Sequence, residues 1–298
     1  MSRMLWWERL TKPDLNFRNN LKGDDMGRLI VDETKCKRDA ICANECPMGI
    51  IKVKDDTGFP ELVSGGEQVC LECGHCVAVC PHDALSHDQI PVEECPVIDS
   101  GLVIDERQAV QFLRSRRSIR FFKDEPPDKA TIQRLIEIAR YAPTAGNAQL
   151  VEWLVLTDRG KIKEMAGTAV DWMRTVLEKT PQSAPPYMPV VIRSWDMGFD
   201  AVLRDAPVLV VASAPKEAGN GMVDVTLSLS YFELAAPTLG LGTCWAGLLQ
   251  GALLSSSAAR EALGLPKGHP YHYPMMVGRP KSTYHRLPQR KPPRITWQ

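Results

Sequence analysis

The apolar positions of this chain change period along its length. In the first third they come in short runs: Leu29-Ile30-Val31 within the strand-like stretch Gly27 to Asp32, then Ile50-Ile51-Lys52-Val53, then Ala84-Leu85. Such runs predict short strands. From residue 105 the spacing lengthens. Ala109, Phe112 and Leu113 predict a helix leading to Arg114. Pro126, Pro127 and Asp128 mark a helix start, and Ile132, Leu135, Ile136 and Ala139 follow at i, i+3, i+4, i+7. That spacing predicts an amphipathic helix ending before Pro143. Val151 to Leu156 predicts a strand, 161–180 a helix, and Val208 to Val211 a short buried strand. Val223 to Leu239 predicts a long helix that Gly240 can end. Tyr273 to Gly278 is the last expected strand, and Pro274 within it predicts an edge position or a strand start. Residues 181–200 hold Pro181, Pro185, Pro186 and Pro189 and read as an excursion or lid. The tail through Gln298, rich in proline and arginine, reads as extended.

Helices and strands mix without clean βαβ repetition, which predicts an α+β fold. The long helix carries the apolar stripe Leu227, Tyr231, Leu234 and Ala235, expected to be dimer or domain core. The uncharged run from Leu234 to Ala259 approaches the length of a membrane span. Pro237 and the glycines at 240, 242, 247 and 251 divide it into a helix end and a loop, so it reads as a buried helix followed by a tight turn.

The chain has 298 residues, enough for two domains. The pattern predicts an extension over 1–26, a cysteine-rich unit over 27–90, a linker over 91–105 and a second domain over 106–298. Residues 1–25 read either as an upstream-start extension or as a tail packing through Leu5, Trp6 and Trp7. Their mixed composition does not resemble a secretory signal. The charge balance, 36 basic against 36 acidic residues, argues against a general nucleic-acid binder.

Seven of the nine cysteines fall in two frames. Cys70, Cys73, Cys76 and Cys80 precede Pro81 in the order C-x2-C-x2-C-x3-C-P. Cys36, Asp39, Cys42, Cys46 and Pro47 repeat every spacing with an aspartate at the second position. Clustering of this kind in a large chain favours metal ligation over disulfides, and thiolates kept reduced for it point to the cytoplasm. Zinc sites are usually built from two ligand pairs and do not need interleaved frames, so the frames read as iron–sulfur ligands. Three closely spaced cysteines wrap one cluster, and in two-cluster proteins the fourth serves the other. Cluster I then takes Cys36, Asp39, Cys42 and Cys80, and cluster II takes Cys70, Cys73, Cys76 and Cys46. This unit resembles a bacterial two-cluster ferredoxin, with cluster II a 4Fe-4S centre. Asp39 has three readings: an oxygen ligand completing a 4Fe-4S cluster, an empty corner giving a 3Fe-4S cluster, or a solvated loop residue beside another ligand. Carboxylate is harder than thiolate, so that corner is the labile one. Cys95 reads as an ordinary linker thiol.

The second domain opens on Arg116-Arg117-Ser118-Ile119-Arg120, whose donors suit a phosphate. One helix later comes Tyr141-Ala142-Pro143-Thr144-Ala145-Gly146-Asn147-Ala148-Gln149, and after the long helix Gly240 to Gly247 with Cys244. In this order the three segments resemble the FMN-dependent nitroreductase family over most of 106–298. The resemblance implies a mixed sheet flanked by helices and an obligate homodimer with FMN at its interface. It places Arg116, Arg117, Ser118 and Arg120 at the FMN phosphate and ring edge. Pro143, Thr144, Ala145, Asn147 and Gln149 would reach the flavin from the partner subunit. Ala246 and Gly247 would offer backbone N–H groups to the ring, and Arg290 or Lys291 would close the phosphate site. The family's proline-tryptophan after the glutamine is replaced here by Leu150-Val151-Glu152-Trp153. Cys244 reads as a small packing residue. His272 and His285, in the tail region, read as surface or hydrogen-bonded residues. No Ser-His-Asp or paired-carboxylate constellation appears, which suits an enzyme whose cofactor does the chemistry.

The expected activity is therefore an FMN oxidoreductase moving electrons from the clusters through FMN to a small acceptor such as a nitro compound, with ferredoxin or NAD(P)H as donor. Two alternatives stand: reduction of activated alkenes or other unsaturated substrates, and an electron-transfer or redox-sensing module acting on a protein partner. No glycine fingerprint for a Rossmann nicotinamide site follows a strand. Neither nucleic acid nor membrane is an expected partner.

Overall fold

In the N-terminal half, each cysteine frame sits between a strand that enters it and a strand that leaves it. The computed structural model describes residues 29–53 and 58–298. The expected extension and the start of the first strand at Gly27 lie outside them. The chain divides into two units between Ile98 and Asp99.

In the first unit, strand β1 (Leu29–Val31) enters the first frame, helix α1 (Ile41–Glu45) carries Cys42, and β2 (Ile51–Val53) leaves it. Then β3 (Pro60–Leu62), α2 (His75–Ala78) carrying Cys76, and β4 (Leu85–His87) repeat the order. β1 pairs antiparallel with β4, and β2 with β3. The first strand of each half thus pairs with the last strand of the other. The local backbone repeats as well. Arg38 and Ala40 have φ of 59° and 58°, and their counterparts Glu72 and Gly74 have 49° and 72°. Residues on either side of the second ligand position are left-handed in both halves. Asp39 therefore occupies the same kind of corner as Cys73. Ile50, Ile51, Leu85 and Cys42 form a small core beneath the frames.

The second unit begins with α3 (Glu106–Ser115), closed at its start by a capping box between Asp105 and Gln108. Asp128 accepts the backbone N–H of Thr131 to start α4 (Lys129–Ala139). β5 (Glu152–Leu156) and α5 (Arg159–Lys179) follow, then α6 (Met188–Asp196), β6 (Val208–Ala214), α7 (Gly221–Ala235), β7 (Gly242–Trp245), α8 (Gly247–Ser255), α9 (Ser257–Leu263) and β8 (Tyr271–Gly278). The sheet order is β5-β6-β8-β7, and all three pairings are antiparallel. A parallel bridge between Ser118 and Thr243 makes the sheet mixed.

Alternation along β6 and β8 supplies two cores. Leu209, Val211 and Met276 face α5, α6, α8 and α9, whereas Val208, Val210, Met275 and Val277 face α4 and α7. Both faces are covered by helices, so β6 is buried throughout. Among the described residues no helix is long and apolar enough to cross a membrane.

Two expectations from the sequence are corrected. Residues 181–200 are not an open excursion, because they contain α6, whose Met188 and Val191 are buried in the core beside α5. Pro189 lies in its first turn, where a missing N–H costs no hydrogen bond. β8 is not an edge strand, since it lies between β6 and β7. In an antiparallel ladder a residue's N–H and C=O face the same neighbour. The Pro274 carbonyl accepts the N–H of Ala246, just past the end of β7, so the proline nitrogen also faces away from β6. The β6 ladder loses nothing.

Candidate functional sites: two cysteine cavities and a basic edge

The two frames build two separate cavities. One is lined by Cys46, Cys70, Cys73 and Cys76, the other by Cys36, Asp39, Cys42 and Cys80. Each brings together three ligand positions from one frame and the Cys-Pro cysteine of the other. Burial pushes the thiols of Cys42, Cys70 and Cys76 up, Cys76 to about 11. The neighbouring cysteines of the same cavity push in the same direction. Thiols held protonated in this way release protons when metal binds. Among the described residues no three His, Cys, Asp or Glu side chains could hold a single metal ion. Sulfurs that ring a cavity without converging on one point fit a multi-iron cluster better than zinc.

The cavities are not equivalent. Asp39 accepts the N–H of Ile41 through Oδ1 at 3.2 Å, and its Oδ2 lies 3.7 Å from Nε2 of His82. At the other cavity Nε2 of His87 lies 3.8 Å from the sulfur of Cys70. Neither histidine was singled out in the sequence, although both stand within seven residues of Cys80. Cys95 donates to the carbonyl of Pro91 and lines neither cavity.

In the second unit the segment 116–120 lies along the outer side of β7. The N–H of Ile119 donates to the carbonyl of Thr243 at 2.8 Å. Gly242 permits this approach, because a Cβ there would stand 2.3 Å from Cγ1 of Ile119. Arg116 is not free: Nη1 lies 2.9 Å from Oε1 of Glu233, a buried carboxylate on α7. The other oxygen of Glu233 accepts the indole N–H of Trp245 at 3.0 Å. The Arg117 guanidinium lies 5.7 Å from the centre of the Tyr284 ring, and Arg120 reaches the carbonyl of Ser118. Among the described residues neither arginine is ion-paired.

The loop 143–149 is anchored elsewhere. The N–H of Ala145 donates to Oδ1 of buried Asp224 at 3.0 Å, and that of Gln149 to Oγ1 of Thr144. Asn147 and Gln149 have φ of 53° and 51°. Asp224 and Glu233 stand nine residues apart on α7, about 13 Å along its axis and half a turn around it. The loop and Arg116 are therefore held at different ends of the helix.

Ala246 and Gly247 stand at the start of α8. The Ala246 N–H is already donated to Pro274, so it is not available to a ring; Gly247 is exposed. Trp245 packs edge-on against Tyr273, whose hydroxyl stands beside Gly247. Cys244 is buried, as expected of a packing residue, and burial raises its thiol. His272 is not in the tail. It is buried in β8, with Nδ1 3.2 Å from Oε1 of Gln250. Arg290 and Lys291 are exposed in the extended tail and make no hydrogen bond or ion pair among the described residues.

The nitroreductase family model matches residues 113–279. The chain belongs to the nitroreductase family. The 4Fe-4S dicluster domain model matches residues 34–85 of the same chain. A relative from Methanothermobacter thermautotrophicus, which carries the name NADH dehydrogenase/NAD(P)H nitroreductase, is 24% identical over 149 residues, covering 49% of this chain and 63% of that protein. The chain thus matches under two thirds of that relative's length. Ferredoxin 7Fe of Hydrogenibacillus schlegelii is 32% identical over 69 residues, 23% of this chain and 82% of that protein. The crystal structure of a nitroreductase with bound FMN from Desulfitobacterium hafniense superposes with a TM-score of 0.51 at 22% identity, covering 65% of this chain and 99% of that one. That likeness places the second unit in the nitroreductase fold.

Proposed function

We propose that this chain is an FMN-dependent oxidoreductase in which an iron–sulfur unit supplies electrons for reduction of a small acceptor such as a nitro compound. One observation carries the reading: on a chain of the nitroreductase family, eight ligand positions separate into two cavities with interleaved frames. Cys46, Cys70, Cys73 and Cys76 would hold a 4Fe-4S cluster. Cys36, Cys42 and Cys80 would hold the second. Asp39 already accepts one N–H and faces His82, which supports a three-iron cluster there. The seven-iron name of the ferredoxin relative supports the same sum.

The donor set of the basic edge fits a flavin phosphate. Arg120 and Arg117 bring charge that no carboxylate among the described residues neutralises, and Ser118 brings a hydroxyl. Arg116 would contribute only the donors that Glu233 leaves. Arg290 and Lys291, unpaired among the described residues, would close the site. At the ring we keep the N–H of Gly247 and give up that of Ala246. Pro143, Thr144, Ala145, Asn147 and Gln149 would serve the partner subunit's flavin, in keeping with their anchorage at the far end of α7. The bound FMN would supply the exchange between one-electron and two-electron chemistry. The partner is a second copy, with ferredoxin or NAD(P)H as donor, in the cytoplasm.

The test is anaerobic reconstitution of the full chain. Iron and flavin are counted, and turnover of nitroaromatics is measured with reduced ferredoxin and with NAD(P)H. Stoichiometric FMN, seven irons and turnover with either donor are expected. A flavin-free protein, or a loaded protein that turns over no nitro compound with either donor, rejects the reading.

A further inference from the structure

His87 is buried, only 3% exposed, in the strand that pairs with Leu29. Its Nε2 points at the sulfur of Cys70 across 3.8 Å. Its other nitrogen is already occupied. The backbone N–H of Gln89 donates to Nδ1 at 3.2 Å, and Oδ1 of Asp88 lies 3.2 Å from the same atom. A backbone N–H is always a donor, so Nδ1 accepts it in the neutral ring and the proton sits on Nε2. Nε2 therefore directs its N–H at the sulfur. A cysteine that ligates iron has lost its own proton, so that sulfur can only accept.

We propose that His87 is a positioning residue of cluster II, donating a hydrogen bond to the Cys70 sulfur and raising that cluster's reduction potential. The inference rests on the assignment of cluster II to Cys46, Cys70, Cys73 and Cys76. Reduction adds negative charge that spreads onto the ligand sulfurs. A fixed donor in a dry site stabilises the reduced form more than the oxidised one. Among the described residues no histidine reaches a cluster I sulfur, where the backbone N–H of Ala84 donates to Cys80 at 3.4 Å. The residue 34 positions before His87 is Val53, and the histidine beside cluster I, His82, faces the Asp39 carboxylate rather than a sulfur. Among the described residues the histidine donor thus stands at cluster II and not at cluster I.

The experiment is a redox titration of the reconstituted full-length protein, followed by electron paramagnetic resonance, with cluster I as internal reference. His87→Phe should lower the reduced-to-oxidised ratio of cluster II about tenfold at a fixed potential, a downward shift of about 59 mV for a one-electron couple. Cluster I should not move. His87→Gln keeps an N–H near the Nε2 position and should shift cluster II by less than half as much. An unmoved cluster II in His87→Phe, an equal shift in both variants, or clusters moving together would each overturn the proposal. Where His87→Phe does not load, a second measurement decides. Reduced protein with 15N-labelled histidine is examined for nitrogen hyperfine coupling to cluster II, in a His75→Gln background because His75 lines the same cavity. Coupling supports the hydrogen bond and its absence rejects it. Iron analysis separates the two levels. A protein with no cluster at these four cysteines removes the assignment, whereas a bound cluster with an unmoved potential removes only the role of His87.

Discussion

Nη1 of Arg116 lies 2.9 Å from Oε1 of Glu233, which ties the first residue of the basic edge to the C-terminal end of α7. Glu233 is buried and also accepts from Trp245, so its removal strands two donors. Breaking a buried pair by deleting one partner costs about 3 kcal/mol. Glu233→Ala should lower the unfolding free energy of the second unit by roughly that amount. Glu233→Gln, which keeps an acceptor for Trp245, should lose less. Denaturant unfolding of the two variants measures the difference.

The same pair predicts an order among the arginines. Among the described residues Arg120 is not ion-paired, whereas Arg116 is shared with Glu233. A charge-assisted hydrogen bond contributes about 1.5–3 kcal/mol, so Arg120→Ala should weaken FMN binding by about tenfold or more. Arg116→Ala should lower flavin content too, but no more than Arg120→Ala. Iron content should stay unchanged in both. Flavin released from purified protein, counted against iron, checks the order; full retention of flavin in both variants would remove the phosphate assignment.

Asp39 occupies the backbone corner that Cys73 occupies in the other half. Asp39→Cys restores a soft ligand there. Its iron content after anaerobic reconstitution should rise from seven to eight per chain, and its cluster I should resist oxidative loss of iron. Mössbauer spectra before and after brief air exposure read both. Two identical all-cysteine-type cubanes in the unaltered protein would contradict the expected asymmetry.

His272 gives a pH dependence. Burial, and then the positive charge of Arg260, holds its pKa below the ordinary value of 6.5. A histidine depressed in the folded state is protonated more readily when unfolded, so stability rises with pH. Its contribution is complete above about pH 6.5 and falls as pH drops toward the lowered folded value. His272→Gln should flatten the slope of unfolding free energy between pH 5 and 7, whatever it does to the absolute value. An unchanged slope would assign the acid sensitivity elsewhere.

The outer side of α7 carries Val223, Leu227, Tyr231 and Leu234 in one stripe, with Val223 and Tyr231 exposed at 45% and 41%. The inner side is the core of the unit. A second copy of the chain is the proposed cover, and a charge in that stripe would be buried unpaired at the interface. Leu227→Asp should shift the protein from dimer to monomer in sedimentation and lower flavin content with it. A monomeric parent protein would reject the interface.

Much of the architecture is legible from local pattern. The spacing of Ile132, Leu135, Ile136 and Ala139, with Asp128 before it, describes α4 because its cap and its buried stripe lie within a few residues of each other. Gly240 ends the helical stretch after α7 with a left-handed φ of 71° for the same reason. The cysteine frames are legible because a loop of fixed spacing turns its own sulfurs inward.

Local pattern fails where the deciding partner is far along the chain. The prolines of 181–200 read as breaks, but the burial of Met188 and Val191 beside α5 makes α6. Pro274 is tolerated inside the sheet only because β7 ends where its missing donor would point. Ala246 has the backbone of a ring-binding residue in its motif, yet its N–H belongs to a strand 28 residues later. Glu233 and Asp224 were readable as rare charges in an apolar helix, and such charges are buried only with partners. Their partners, Arg116 and Ala145, could not be read.

Period, caps and ligand spacing are thus properties of the chain itself, because helices, turns and cysteine loops close over a few residues. Which donors are spent and which stay free belongs to the tertiary structure, because hydrogen bonds and ion pairs reach only a few ångströms and only folding decides what lies within them. His87 is the case in point: a histidine near a cysteine motif in sequence, and a donor aimed at one sulfur once β4 has paired with β1.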